Sequence, residues 1–342
     1  MNDIRTLIVL LNWNGSLDTL DCCESLNQIH RVSQGSTDVL IVDNNSTEQS
    51  LKELRDGLEL KFGHAHQYEI SSYLKEEYSL YEILSYGKFS LFCSRINHGF
   101  SRGCNIGARY ALEQNYEYIL FLNNDTIVEP NFLEPLFNSV ENSDAVIPQI
   151  RYHHDKNLIW NCGGSISKFG SRKYNYAKQN IRNITFPANI FPVSFATGCC
   201  ILFRTKYFNE IGLFSEKFFF GEEDIELALR LLKRKAKVLC NIDSIIYHKV
   251  GASLQGNPEK LLRKAYIHYL NRFVNMKMHL GKLWYLWLIP STLKVFLNLL
   301  VINKATISTS IIFIKALLLD SFSLWEVNKD KFESILKCGI KK

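Results

Sequence analysis

The chain has 342 residues, 46% of them apolar, which is enough for one large domain or a domain with an appendage and excludes a disordered chain. The net charge of +6 is unevenly spread: Lys260 to Leu319 holds nine Lys or Arg and no Asp or Glu, while residues 1–259 carry about −4 and the tail beyond Leu319 about +1. Nine cysteines, including the adjacent pairs Cys22-Cys23 and Cys199-Cys200, lack the spacing of a zinc knuckle or ribbon. The opening "MNDIRTLIVLLNWNG" has no basic stretch followed by a small-residue cleavage site, so reduced thiols in a cytoplasmic protein are expected.

"TLIVLLNW" (Thr6 to Trp13) reads as a buried strand followed by a helix over about Leu17 to Leu26. "DVLIVDNNS" (Asp38 to Ser46) repeats the pattern, with a helix from about Glu48. "FSLFCSR" (Phe89 to Arg95) predicts a third strand, Cys104 to Gln114 a helix, and "YILFLNN" (Tyr118 to Asn124) a fourth strand. Strands alternating with helices imply an open α/β sheet, whose ligands sit beyond the carboxyl ends of the strands. Three of these strands end in Asn or Asp clusters. Each alone is an ordinary turn signal; three at successive strand ends point to a site.

The segment "NHGFSRGCNIGARYA" (Asn97 to Ala111) predicts a glycine loop feeding a helix, with Gly99, Gly103 and Gly107 four residues apart. It is neither a dinucleotide fingerprint nor a P-loop. It offers backbone N–H groups and Arg102 to a phosphate, or else packs closely on the sheet. Farther on, Gly198 with its two cysteines allows close backbone approach, and Phe214 and Phe218 to Phe220 suggest an aromatic wall. "GEED" opens a helix through Ile225 to Leu232. Its acidic residues are read equally as a helix-capping cluster or as a carboxylate desolvated for general-base work. His248 follows the strand "SIIY".

In order, "VLLNWNG", "LIVDNNST", "NHGFSRGCNIG", "FLNNDT", "TGCCILFR", "FFFGEEDIELALRL" and "IYHKVGAS" resemble the inverting family 2 glycosyltransferases of the GT-A fold, in particular the rhamnosyltransferase-like branch that builds bacterial surface polysaccharides. The resemblance covers about Thr6 to Ser253. It implies an α/β fold of Rossmann-like mixed sheet with flanking helices. It also implies that Asn12, Asn14 and Asp43 hold the nucleotide, with Asn97, Gly99, Phe100, Arg102 and Asn105 flanking the donor. The metal-binding D-x-D position falls on Asn123, Asn124 and Asp125, and His248 stands near metal and diphosphate. Asp224 is the implied catalytic base, with Glu223, Gly198 and Cys199 on the acceptor side. The implied cofactor is Mg2+ or Mn2+, held by oxygen ligands that neutralise a departing diphosphate; one base suffices for inversion by single displacement. Two features depart from the pattern. Only Asp125 brings charge to the metal motif, and Leu58 to Lys88 matches no known connection.

The division expected is a nucleotide-sugar-binding and catalytic domain over 1–258, with 58–88 unassigned, and a basic, aromatic-rich helical region over 259–342. Leu261 to Leu280 is an amphipathic helix, and Leu283 to Ile302 has nearly the length to span a bilayer. Lys294 at its centre and Pro290 favour helices lying in the interface instead, with Trp284, Tyr285 and Trp287 at headgroup level. The alternative is a hairpin packed on the catalytic part or on a second subunit of a homo-oligomer. The reading is thus a transferase that moves sugar from a dTDP- or UDP-linked donor to a glycan acceptor, carried on a polyprenyl diphosphate lipid at the inner face of the cell membrane. A non-catalytic nucleotide-sugar or glycan-binding module of the same fold is the second reading. A nucleotidyltransferase is disfavoured because "NWNGSLDTL" has no Lys or Arg, and nucleic acid is not expected as a partner.

Overall fold

A computed structural model describes residues 4–30, 35–250 and 258–339; the Gly251 to Ser253 end of the last motif lies outside them. The first half runs β1 (Ile4–Asn12), α1 (Ser16–Asn27), β2 (Gly35–Asp43), α2 (Glu48–Phe62), β3 (His66–Gln67), α3 (Ser72–Glu77), β4 (Leu80–Tyr86), β5 (Phe89–Ser94), α4 (Gly99–Glu113), β6 (Tyr118–Asn123), β7 (Thr126–Val128), α5 (Leu133–Val140) and β8 (Ala145–Tyr152). There follow β9 (Ile159–Asn161), β10 (Gly164–Ile166), β11 (Arg172–Tyr174), β12 (Ile190–Val193), β13 (Cys200–Arg204), α6 (Thr205–Glu210), α7 (Glu223–Lys233), β14 (Val238–His248), α8 (Pro258–Leu280), α9 (Trp284–Val301), α10 (Ile307–Ser323) and α11 (Lys329–Cys338).

Among the described residues twelve strands form one mixed sheet, its main path β12-β14-β8-β13-β6-β1-β2-β5-β4-β3. The centre, β6-β1-β2-β5, is parallel, which demands cover on both faces. Hence β1 is apolar at successive positions: Leu7 and Val9 join one core with α4, while Ile8 and Leu10 join another with α1 and α2. The unassigned stretch 58–88 extends this sheet. After the end of α2 and the short α3 it supplies β4, antiparallel to β5, so it is an edge hairpin.

The expected glycine loop is instead the start of α4, which begins at Gly99, five residues before the predicted Cys104. Its glycines serve close packing: a Cβ on Gly107 would lie 2.5 Å from a Val9 methyl, and one on Gly103 2.6 Å from Leu11. Gly99 has φ +76°, and a Cβ there would meet the Phe219 carbonyl oxygen at 2.0 Å.

A third core joins α7 to the C-terminal helices, with Ile225 and Leu229 packed among Tyr266, Leu270, Phe273, Trp284 and Phe313. Trp284, expected at headgroup level, is 1% exposed and donates its indole N–H to the Phe273 carbonyl. Lys277 is also turned inward, its ammonium held by the carbonyls of Ser321, Phe322 and Leu324 where α10 ends. The outward face of α9 and α10 stays apolar: Tyr285, Leu286, Ile289, Leu293, Ile307, Ile311 and Leu319 are all more than half exposed. The helical run Glu259–Val301 is long and apolar enough to cross a membrane by length and composition alone. The eight cysteines whose side chains are described are free and buried.

Candidate active site

β6, β1 and β2 are neighbours in the sheet, so their C-terminal ends bring the three Asn/Asp clusters side by side. Those on β1 and β2 are knit together. Asn12 donates to the Asp43 carboxylate at 2.7 Å and accepts from the Thr19 hydroxyl at 2.9 Å, while the Ser46 amide donates to the other Asp43 oxygen at 3.1 Å. The Asn14 carboxamide oxygen accepts from the Thr47 amide at 2.8 Å. Buried polar atoms need such partners, and here they fix two adjacent strand ends to each other. Asn44 does the same for the next loop, donating to the Asn97 side chain and the Gly99 carbonyl and accepting from the His98 amide.

Above this floor lies a cavity of about 630 Å³. It brings together Asn97, Gly99, Phe100, Asn123, Asn124, Asp125 and Gly198 from the expected set. Arg102 and Asn105 turn away. Arg102 pairs with Glu77, the last residue of α3, at 2.6 Å and with Glu216, in the loop before α7, at 3.1 Å. Asn105 is buried, bonded through its carboxamide to the backbone of Phe214 and to Glu216. Phe214 is likewise core and not a site wall; Phe219 and Phe220 line the cavity. Sequence reasoning missed Trp13, Asn45 and the contribution of α11, whose Lys329, Phe332, Glu333 and Leu336 form one wall. Phe332 reaches it by packing on Phe219, with ring centroids 5.1 Å apart, and the Phe219 amide donates to the Val327 carbonyl just before α11.

Asp125 and His248 meet at the cavity's edge. His248 is the last residue of β14, within the strand and not beyond it, and its Nε2 lies 3.2 Å from Asp125 Oδ2 and 3.1 Å from Oδ1. Burial opposes a charge on this imidazole, while the Cys199 sulfur and the Asp125 carboxylate favour it and push His248 up; burial also pushes the Cys199 thiol up and keeps it neutral, so Asp125 is the charge that acts. Asp125 Oδ1 makes that ion-pair contact with Nε2 but no aligned hydrogen bond, and His248 Nδ1 is buried without a hydrogen bond among the described residues. A cavity-lining carboxylate with lone pairs beyond those facing one imidazole is what a hard divalent cation takes, so Asp125 fits Mg2+ or Mn2+. Yet no three His, Cys, Asp or Glu side chains gather as a metal set among the described residues. The protein's own share of such a site is therefore small, and a donor diphosphate with waters would complete it.

The turn after Phe220 places the other carboxylates. Gly221 and Glu222 both have positive φ, +86° and +76°; glycine takes this freely, while the strain at Glu222 persists because α8 holds it. Asn271 donates to the Phe220 carbonyl at 2.9 Å, and Glu222, side chain 2% exposed, accepts from Arg272 at 2.5 Å and Asn275 at 3.0 Å. Glu223 and Asp224 then open α7. Burial, then the adjacent Asp224 charge, push Glu223 up to about 8. Burial also raises Asp224, opposed by the Arg172 guanidinium 3.5 Å from its Oδ2. Of the pair, Asp224 has the guanidinium beside it, so a charge shared by the two carboxyls is favoured there.

Residues 8–212 match the family model described as Glycosyl transferase family 2, and residues 118–325 match Glycosyl transferase family group 2. The chain belongs to glycosyl transferase family 2. It is 24% identical over 185 residues to the low-salt glycan biosynthesis hexosyltransferase Agl10 of Haloferax volcanii, covering 52% of this chain and 57% of that protein. It is 26% identical over 165 residues to the dTDP-rhamnosyl transferase RfbF of Shigella flexneri, covering 48% and 53%. The chain spans about half the length of these curated relatives. Two solved structures share the GT-A fold. GalNAc-T7 with UDP, GalNAc and Mn2+ gives a TM-score of 0.55 at 16% identity, covering 81% of this chain and 48% of that one. The mannosyltransferase from Pyrobaculum calidifontis with GDP-Man and Mn2+ gives 0.51 at 11%, covering 94% and 88%.

Proposed function

We propose that this protein is an inverting, divalent-cation-assisted glycosyltransferase that moves a hexosyl group, rhamnose being the first to test, from a dTDP- or UDP-linked donor to a glycan in cell-surface polysaccharide synthesis. The observation that carries this reading is Asp125, a carboxylate whose one side-chain partner is His248 among the described residues, in a cavity floored by interlocked strand ends. The nucleotide lies over the ends of β1 and β2, with Trp13 and Asn97 at its rim. When bound, Mg2+ or Mn2+ supplies the positive charge that a departing diphosphate needs. Asp125 and, once it has lost a ring proton, His248 are the residues to hold it; Asn123 and Asn124 orient the donor.

Asp224 takes the proton from the acceptor hydroxyl. The acceptor oxygen forms the new bond to the anomeric carbon on the face opposite the diphosphate as the old carbon–oxygen bond breaks. Glu223, protonated at neutral pH, leaves that base without a competing charge. In this reading residues 1–258 carry the chemistry. The helices of 259–342 clamp its catalytic turn and present an apolar, basic surface to the inner face of the membrane, where the acceptor is carried on lipid.

The test is a transfer and hydrolysis screen of nucleotide sugars with added Mg2+ or Mn2+, with Asp224→Asn as control. Turnover of one donor that falls by about a hundredfold or more in the variant is expected. Full activity in Asp224→Asn refutes the base, and no turnover of any donor favours a nucleotide-sugar-binding module.

A further inference from the structure

A second concavity, of about 820 Å³, lies on the other side of the catalytic turn, between the β10–β11 turn and helices α8 and α9. We propose that it binds the lipid carrier of the acceptor: one long isoprenoid or alkyl chain ending in a phosphate or diphosphate. This rests on the acceptor reading above and adds the place where the carrier sits.

Its walls are apolar, from Phe169 on the hairpin turn to Phe273 on α8 and Leu286, Trp287 and Pro290 on α9. Its charged side chains are Lys168, Arg272 and Lys294, and no Asp or Glu lines it. An apolar trough with only positive charges fits a ligand with one greasy end and one anionic end. The groove is built and not a chance gap. Arg272 donates to the Gly170 carbonyl at 2.7 Å and Trp287 to the Phe169 carbonyl at 3.1 Å, so both helices pin the turn that closes it.

The two ends lead to different places. Outward, Leu286 is 70% exposed and begins the stripe Leu286, Ile289, Leu293, Leu297, about 16 Å of helix surface facing away from the protein. A chain leaving the groove along that stripe meets the same apolar face that the membrane reading needs. Inward, Arg272 binds the Glu222 carboxylate, and Ser171 at the groove's lining precedes Arg172, which pairs with Asp224. A phosphate head held by Lys168 and Lys294 therefore puts its glycan on the side of the proposed base. A concave site of this size takes one chain, whereas contact with a bilayer alone needs only the exposed stripe.

The probe is farnesyl diphosphate, titrated calorimetrically onto the full chain in EDTA, which silences any cation-dependent diphosphate binding in the donor cavity. Binding is expected that UDP does not displace, that inorganic diphosphate, sharing only the head, displaces at a concentration about tenfold or more higher, and that weakens about tenfold or more in Lys168→Glu/Lys294→Glu. Leu286→Gln, at an exposed position, weakens it without changing the charge, and thermal melts confirm that both variants are folded. Unchanged affinity in either variant, displacement by UDP, or inorganic diphosphate binding as tightly as farnesyl diphosphate, overturns the proposal. So does a defect confined to phosphatidylglycerol vesicles with farnesyl diphosphate unaffected, which makes the face a bilayer contact only. No donor is present here and no lipid in the nucleotide-sugar screen, so failure of one leaves the other standing.

Discussion

Arg172→Met separates Asp224 as a base from Asp224 as a helix cap. The guanidinium stands 3.5 Å from Asp224 Oδ2, with the two side chains 32% and 19% exposed. At an effective dielectric of about 20, unit charges at that distance attract by about 5 kcal/mol, and solvent at so open a pair reduces this to about 1–2 kcal/mol. Each pH unit corresponds to about 1.4 kcal/mol. Burial already raises the Asp224 carboxyl and Arg172 opposes it, so removing the cation raises it further. The fraction of charged base then falls on the acid side and recovers at higher pH. The acid limb of kcat/KM is expected to move up by about one pH unit with the plateau kept, measured from pH 5 to 9 in the transfer assay. The limb belongs to the Glu223–Asp224 pair as a unit. A limb that stays in place, or an equal loss at every pH, refutes Asp224 as the titrating base.

Asp125→Ala is expected to cost at least about tenfold more activity than Asn123→Ala, and equal losses in the same assay mean that the roles within the motif are misassigned. Lys329→Met should raise donor KM about tenfold while Lys329→Arg keeps it, because Lys329 is the cation that α11 brings to the cavity wall; an unchanged KM removes α11 from donor binding. Arg272→Met strands the buried Glu222 charge and should cost about 3–5 kcal/mol at pH 7 by urea denaturation. Burial holds the folded-state Glu222 above its ordinary value, so its stabilising proton is present at low pH and lost as pH rises. The variant should regain most stability near pH 5, and an equal deficit at both pH values sinks the pairing argument. Gly107→Ala should destabilise by about 1–3 kcal/mol through the Val9 contact, with Val9→Ala restoring part of it; no loss means that α4 stands off β1.

The strand ends were legible because a buried parallel strand must be apolar on both faces, so the break at Asn123 to Asp125 marks where β6 leaves the core. The glycines of α4 were not. Spacing by four residues suits a phosphate-cradling loop and a helix lying against a strand equally well, and only the distance to Val9 and Leu11 decides. The same holds for Arg102, whose partners are Glu77 at the end of α3 and Glu216 in the loop before α7, neither announced by a pattern. The wall contributed by α11 was invisible for a different reason, since Lys329 to Leu336 reads as an ordinary amphipathic helix until tertiary contact sets it on Phe219. In α9 the obstacle was phase. Apolar residues surround the helix, so composition gives no direction. Trp284, Leu288, Val295 and Leu299 are buried while Leu286, Ile289, Leu293 and Leu297 face out. Core packing and membrane contact, weighed as rival readings of one segment, are properties of its two opposite faces.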